Sequence, residues 1–130
     1  SDSTGADSTD ILKIMYEVMS GDEGLSVSEW GLGGHSAGAS AAFNVTQKMR
    51  PGVSKLVMCG SKTPMALIGT LHDSATNVVV INGTEDGLLN YVDSKSRSDL
   101  FKAKLPPEKG NGRGGRTSFV TIEGGNHSGF

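Results

Sequence analysis

Apolar and polar positions along this 130-residue chain follow two different periodicities. From Thr9 to Ser20, Ile11, Leu12, Ile14, Met15, Val18 and Met19 recur at the i, i+3, i+4, i+7 spacing of one helical face. The spacing predicts an amphipathic helix that buries all six. Ser8 or Thr9 can cap its start, Asp10 suits its positive end, and Gly21 can stop it. Ser1 to Ser8 reads as a polar, acidic lead-in, and Asp22 to Ser28 as a polar connection. The later apolar runs are short and branched. Lys55 to Cys59, Asn77 to Asn82 and Thr117 to Ile122 predict strands, and Val78-Val79-Val80-Ile81 is a continuous run of the kind buried on both faces. A further strand is expected from about Ser28 into the turn at Ser36.

Helical stretches separate these strands. Ala37 to Met49 is rich in small residues and ends before Pro51-Gly52, while Leu88 to Leu105 ends at Pro106-Pro107. In the second of these, Leu88, Leu89, Tyr91, Val92, Leu100, Phe101 and Leu105 supply the apolar positions. The connection from Ser61 to Asn77 is long enough for a short helix. Strand alternating with helix predicts an α/β fold, a parallel sheet of about four strands with flanking helices on both faces. The length suits one domain over residues 1–130.

Composition narrows the function classes. A net charge of −2 and a pI near 5.9 supply no basic field for nucleic acid. No apolar run reaches the roughly 18 residues of a membrane span, so no membrane is expected as a partner. The single Cys59 excludes an internal disulfide and, at the end of an apolar run, reads as a structural thiol. No Cys/His cluster has metal-ligand spacing, and neither a metal nor a cofactor is expected. Gly110 to Gly115 matches G-x-G-x-x-G, but it follows a helix and opens a strand, the reverse of a dinucleotide site. Its neighbours Lys109, Arg113 and Arg116 lack the interleaved aromatics of an RNA-binding segment. The sequons at Asn44, Asn82 and Asn126 fall in a helix or beside the expected site and read as chance. Trp30 and Tyr91 read as packing residues.

Three segments carry candidate chemistry. Gly34-His35-Ser36-Ala37-Gly38 is a G-x-S-x-G pattern between a predicted strand and a predicted helix. There a serine takes a strained conformation that projects its hydroxyl, and the flanking glycines avoid collision with neighbouring backbone. A serine hydroxyl becomes a nucleophile when a histidine removes its proton and a carboxylate orients that histidine. Gly83-Thr84-Glu85-Asp86-Gly87 follows the Val78–Ile81 strand and offers Glu85 or Asp86. Glu123-Gly124-Gly125-Asn126-His127-Ser128-Gly129-Phe130 follows the last strand and offers His127. His35, next to the serine, is expected to make a structural contact, and His72-Asp73 a surface pair. Leu67, Ile68 and Leu88 are candidates to line an acyl pocket.

Taken together, GGHSAGA, VVVINGTEDGL and VTIEGGNHSGF resemble the α/β-hydrolase superfamily, in particular its compact branch of dienelactone-hydrolase-like proteins and esterases. The resemblance covers Ser28 to Phe130. It implies Ser36 as nucleophile, Asp86 as acid, His127 as base and the Ala37 N–H as an oxyanion donor, acting on a small-molecule ester or related acyl substrate. A thioesterase or acyltransferase would use the same groups. The part of the family's fold that it matches is the carboxyl half. The strands before the elbow, which carry the second oxyanion donor, have no counterpart here. The chain is therefore expected to be a truncated domain, with an edge strand prone to self-association and little turnover alone. A non-catalytic fragment is the alternative.

Overall fold

The computed structural model describes residues 8–19, 28–86 and 95–129. Helix α1 spans Ser8–Met19, and strand β1 (Trp30–His35) leads through Ser36 into α2 (Ala37–Lys48). Strand β2 (Val53–Cys59) is followed by a 3-10 turn at Pro64–Ala66 and by β3 (Asn77–Gly83). Helix α3 (Lys95–Ala103) and β4 (Arg116–Ile122) complete the order. Residues 1–7 of the lead-in, residues 20–27, the side chain of Met19, residues 87–94, which include the first part of the last predicted helix, and Phe130 lie outside the described residues. Leu88, Leu89, Tyr91 and Val92 fall there.

All four strands pair in parallel, in the sheet order β1-β2-β3-β4. Each strand is added on the same side of its predecessor, and right-handed crossovers must then all pass over one face. The core shows this. Ala39, Ala42 and Phe43 of α2 and Phe101 of α3 pack with Leu56, Met58, Val78 and Val80, all pointing to the same side of the sheet. Helices on both faces were expected; among the described residues they occupy one. The opposite face carries Val57 and Val120, 37% and 45% exposed, and Val79 of the branched run is only half-buried. Burial of that run on both faces is likewise not observed.

Helix α2 can lie close to the sheet because Ala39 and Ala42 are small where it approaches. Helix α1 packs on α2 rather than on the sheet alone. Ile11, Leu12 and Met15 meet Val45, Val53, Trp30 and Met49. That contact is a narrow stripe, which leaves Ile14 57% and Val18 37% exposed instead of buried. Trp30 is a packing residue, as expected. In the β2–β3 connection Leu67 and Leu71 join the main core, and Asn44 of α2 secures the loop. The Asn44 amide donates to the Ala66 carbonyl and accepts from the Ile68 N–H.

The glycine-rich 110–115 loop is built around Asn111. Its Nδ2 donates to the carbonyls of His72 and Ser74, while its Oδ1 accepts the N–H groups of Arg113 and Gly115. The loop thus ties the start of β4 to the start of β3, at the amino ends of the strands.

Among the described residues one buried side-chain group is unsatisfied. Thr117 Oγ1 has no hydrogen-bond partner, and the residue is 1% exposed on the core face of β4. Because an unpaired buried hydroxyl retains its desolvation penalty, Thr117→Val is expected to be neutral or to stabilise by up to about 1–2 kcal/mol. Urea denaturation checks this; a clear loss of stability would mean that the hydroxyl is paired in solution. Strands β1 and β4 are the edges of the described sheet, and an edge with free backbone groups is a template for pairing. The 130-residue chain is accordingly expected to self-associate in sedimentation velocity through β1, and a monomer at all concentrations would contradict that.

Candidate active site

The site begins with backbone strain. Ser36, between β1 and α2, has φ 58° and ψ −121°, and among the described residues it is the one non-glycine with positive φ. A side chain tolerates that region only when its surroundings enforce it. Two constraints do so here. The Ser36 N–H donates to the Cys59 carbonyl at 2.9 Å, extending the β1–β2 pairing, while its carbonyl already accepts from Ala39 N–H at 3.1 Å inside the helix. The chain must reverse within one residue. This folds Gly34 onto the next turn so tightly that a Cβ there would lie 2.2 Å from the Gly38 carbonyl oxygen. Gly38 differs from expectation: a Cβ on it would meet nothing within 4 Å. The crowding is one-sided, since the Cα of Gly34 faces the Gly38 carbonyl while the Cα of Gly38 faces open space. Ala37 is the first residue of α2, so its N–H has no intrahelical acceptor and sits at the helix's positive end.

Asp86 follows β3 and is fully buried. His127 follows β4 in a glycine-rich loop. His127 Nδ1 lies 2.8 Å from Asp86 Oδ2, and His127 Nε2 lies 3.1 Å from Ser36 Oγ. An ionised carboxylate only accepts, so Nδ1 carries the proton and Nε2 is left to accept from the serine hydroxyl. A buried carboxylate is stable only when paired. The His127 ring, one-fifth exposed, covers Asp86 from solvent on one side and faces Ser36 on the other.

The two loops that hold Asp86 and His127 are joined by backbone. The Thr84 N–H donates to the Ile122 carbonyl, the Gly124 N–H donates to Thr84 Oγ1, and the Glu85 N–H donates to the Gly125 carbonyl. Gly83 and Gly125 touch so closely that a Cβ on Gly83 would lie 2.1 Å from the Gly125 carbonyl oxygen. Glu85 therefore contributes its backbone to the clasp, and its side chain is exposed. Sequence reasoning missed Thr84, Gly83 and Gly125 in this role. A glycine at a strand end followed by threonine is the signal that could have suggested it.

The other candidates are dispersed. His72 pairs with Asp73 at 3.1 Å on the surface, beside the Asn111 loop at the far end of the strands. His35 approaches His127 but not Ser36 Oγ: its Nε2–H donates to the His127 carbonyl at 2.6 Å. Leu67 is core, Ile68 is 63% exposed, and Leu88 is outside the described residues. A cavity of about 400 Å³ opens between α3 and the ends of β3 and β4, where Lys62, Asn82, Thr84, Lys102 and Phe119 line it. Ser36, Asp86 and His127 are absent from its wall, so it is not the space in front of the serine hydroxyl. Burial pushes the Cys59 thiol above its usual range, which makes it a poor rival nucleophile. Asn82 is 9% exposed and its side-chain Oδ1 accepts from the Ser61 N–H, so its sequon is unavailable to a glycan.

A model of the alpha/beta hydrolase family matches residues 17–130. The chain belongs to the alpha/beta hydrolase family. The match starts eleven residues before Ser28, within α1, so this hydrolase-family region takes in the end of the first helix as well as the sheet. No curated protein matches the chain. In this hydrolase fold the sharp turn after β1 depends on Gly34 and not on Gly38. Gly34→Ala is expected to cost about 1–3 kcal/mol through collision with backbone. Gly38→Ala, in an open helical position, is expected to stabilise by roughly 0.5–1 kcal/mol. Chemical denaturation of the two variants checks the contrast, and equal losses would show that both glycines are sterically required.

Proposed function

We propose that this hydrolase-family chain is a serine hydrolase that cleaves a carboxylic ester or related acyl bond through an acyl-enzyme. The observation that carries the reading is the continuous hydrogen-bonded line from buried Asp86 through His127 to the strained Ser36. Ser36 Oγ attacks the acyl carbon while His127 Nε2 takes its proton. The imidazolium so formed is stabilised by Asp86, which keeps Nδ1 protonated and the ring in place. The carbonyl oxygen gains negative charge as the carbon becomes tetrahedral, and the N–H of Ala37, at the positive end of α2, is the group proposed to meet it. Collapse breaks the bond to the leaving alcohol, which receives the proton from His127. Water then attacks the acyl-enzyme with His127 again as base, and the acid and free Ser36 are released.

A thioester substrate, or an acceptor other than water, would use the same steps and differ only in the leaving or attacking group. A non-catalytic role is the rival from another class. Loss of one oxyanion donor lowers rate by about 100- to 1,000-fold, so a chain with the Ala37 N–H alone would turn over slowly even with the other groups aligned.

Fluorophosphonate labelling with mass spectrometry separates these readings. Ser36 is expected to carry the label, Ser36→Ala to lose it, and His72→Ala to keep it. Asp86→Asn is expected to lower kcat on p-nitrophenyl acetate on the order of 10³- to 10⁴-fold, because the amide favours the wrong imidazole tautomer. Labelling that persists undiminished in Ser36→Ala would assign the nucleophile elsewhere. No labelling and no turnover in the parent chain would favour the non-catalytic rival.

A further inference from the structure

Ser36 and Asp86 sit on well-anchored backbone, one in the β1–α2 turn and the other in the clasp between the β3 and β4 loops. His127 lies farther out, in a loop with Gly124, Gly125 and Gly129, residues with no Cβ to restrict the backbone. The clasp reaches Gly125, two residues short of it. What ties His127's own backbone to the serine side of the site is a side chain. His35, the last residue of β1, donates from Nε2 to the His127 carbonyl at 2.6 Å. The two rings lie 4.8 Å apart at 44°. Gly60, at the end of β2, forms the floor under both: a Cβ there would come within 3.0 Å of His35 and 3.4 Å of His127. The main chain of Gly60 is itself held, because its N–H donates to the Ile81 carbonyl at 2.9 Å.

We propose that His35 is a positioning residue for His127: it holds the carbonyl of that residue so that the imidazole stays in line between Asp86 and Ser36. This rests on the serine-hydrolase reading above. The chemistry requires a donor at the end of β1, because the group to be held is a carbonyl oxygen, which only accepts. It also requires a side chain of this reach. The residue adjoining Ser36 moves with the nucleophile, so the bond couples base and nucleophile directly and keeps their spacing independent of motion in the β4 loop. A misplacement of about 1 Å in such a pair can lower rate 10²-fold.

The test compares the full chain with His35→Phe, which keeps a ring without the donor, and His35→Gln, whose amide Nε2 can donate at similar reach. Downfield proton NMR follows the His127 Nδ1–H held by Asp86 and needs no turnover. Hydrolysis of p-nitrophenyl acetate follows the chemistry. His35→Phe is expected to broaden or shift the His127 proton and to lower kcat about 10- to 100-fold with KM near the parent value. His35→Gln is expected to restore most of both. A parent-like His127 proton and kcat in His35→Phe overturn the proposal, and so does an equal loss in the Phe and Gln variants, since a mere packing role would not distinguish them by their donor. Should His35→Phe not fold, His35→Asn, too short to reach the carbonyl, takes its place with the same expectations. Persistent labelling of Ser36→Ala by the fluorophosphonate strikes the hydrolase reading instead, and the NMR comparison still decides whether His35 holds His127.

Discussion

The parallel register of the four strands is the constraint on which the rest depends. His35, Cys59, Ile81 and Val120 lie in one row across the sheet, so all four chains leave it at nearly the same height. In a parallel sheet every strand ends on the same side, and the loops that follow must share that edge. Ser36, Gly60, the Thr84–Asp86 turn and the His127 loop are consequently neighbours, although up to 91 residues separate them in the chain. A slip of one residue would turn Leu56, Met58, Val78 and Val80 away from the helices. Core burial therefore holds the site together, even though none of the core side chains takes part in it.

The strain at Ser36 and the burial of Asp86 are both unfavourable by themselves. The turn persists because the Ser36 amide and carbonyl are committed to β2 and α2 at once. Relaxing φ would break the first bond or fray the helix. Asp86 persists because His127 covers and pairs it. Each feature is thus held by a bond that also sets the position of a reactive group, which is how a strained or buried polar residue contributes geometry rather than stability.

Backbone contacts do much of this positioning. The carbonyls of Cys59, Ile122 and Gly125 and the amides of Ser36, Thr84 and Glu85 align the three loops, and glycine is required where those backbones touch. Gly34 and Gly83 are such places, each opposed by a carbonyl with no space for a methyl group. The side chains of Thr84 and His35 supplement this backbone framework from positions beside the reacting groups.

Much of the fold was legible from local pattern. Branched runs mark β2, β3 and β4, small residues mark α2, and Pro106-Pro107 and Pro51-Gly52 mark the stops, because propensity and backbone sterics act within a few residues. Ser36, Asp86 and His127 were legible as candidates because strand-end loops recur in order along the chain. What periodicity could not decide was which neighbour covers each apolar position. Ile14 and Val18 keep the helical spacing yet face solvent, because α1 meets α2 along a narrow stripe. Val79 belongs to a continuous branched run yet lies half-buried, because the described helices α2 and α3 pack on the other face. The difference between Glu85 and Asp86 and the partner of His35 are likewise tertiary facts. Each depends on an atom from a distant segment arriving within a few ångströms, and no local pattern encodes that arrival.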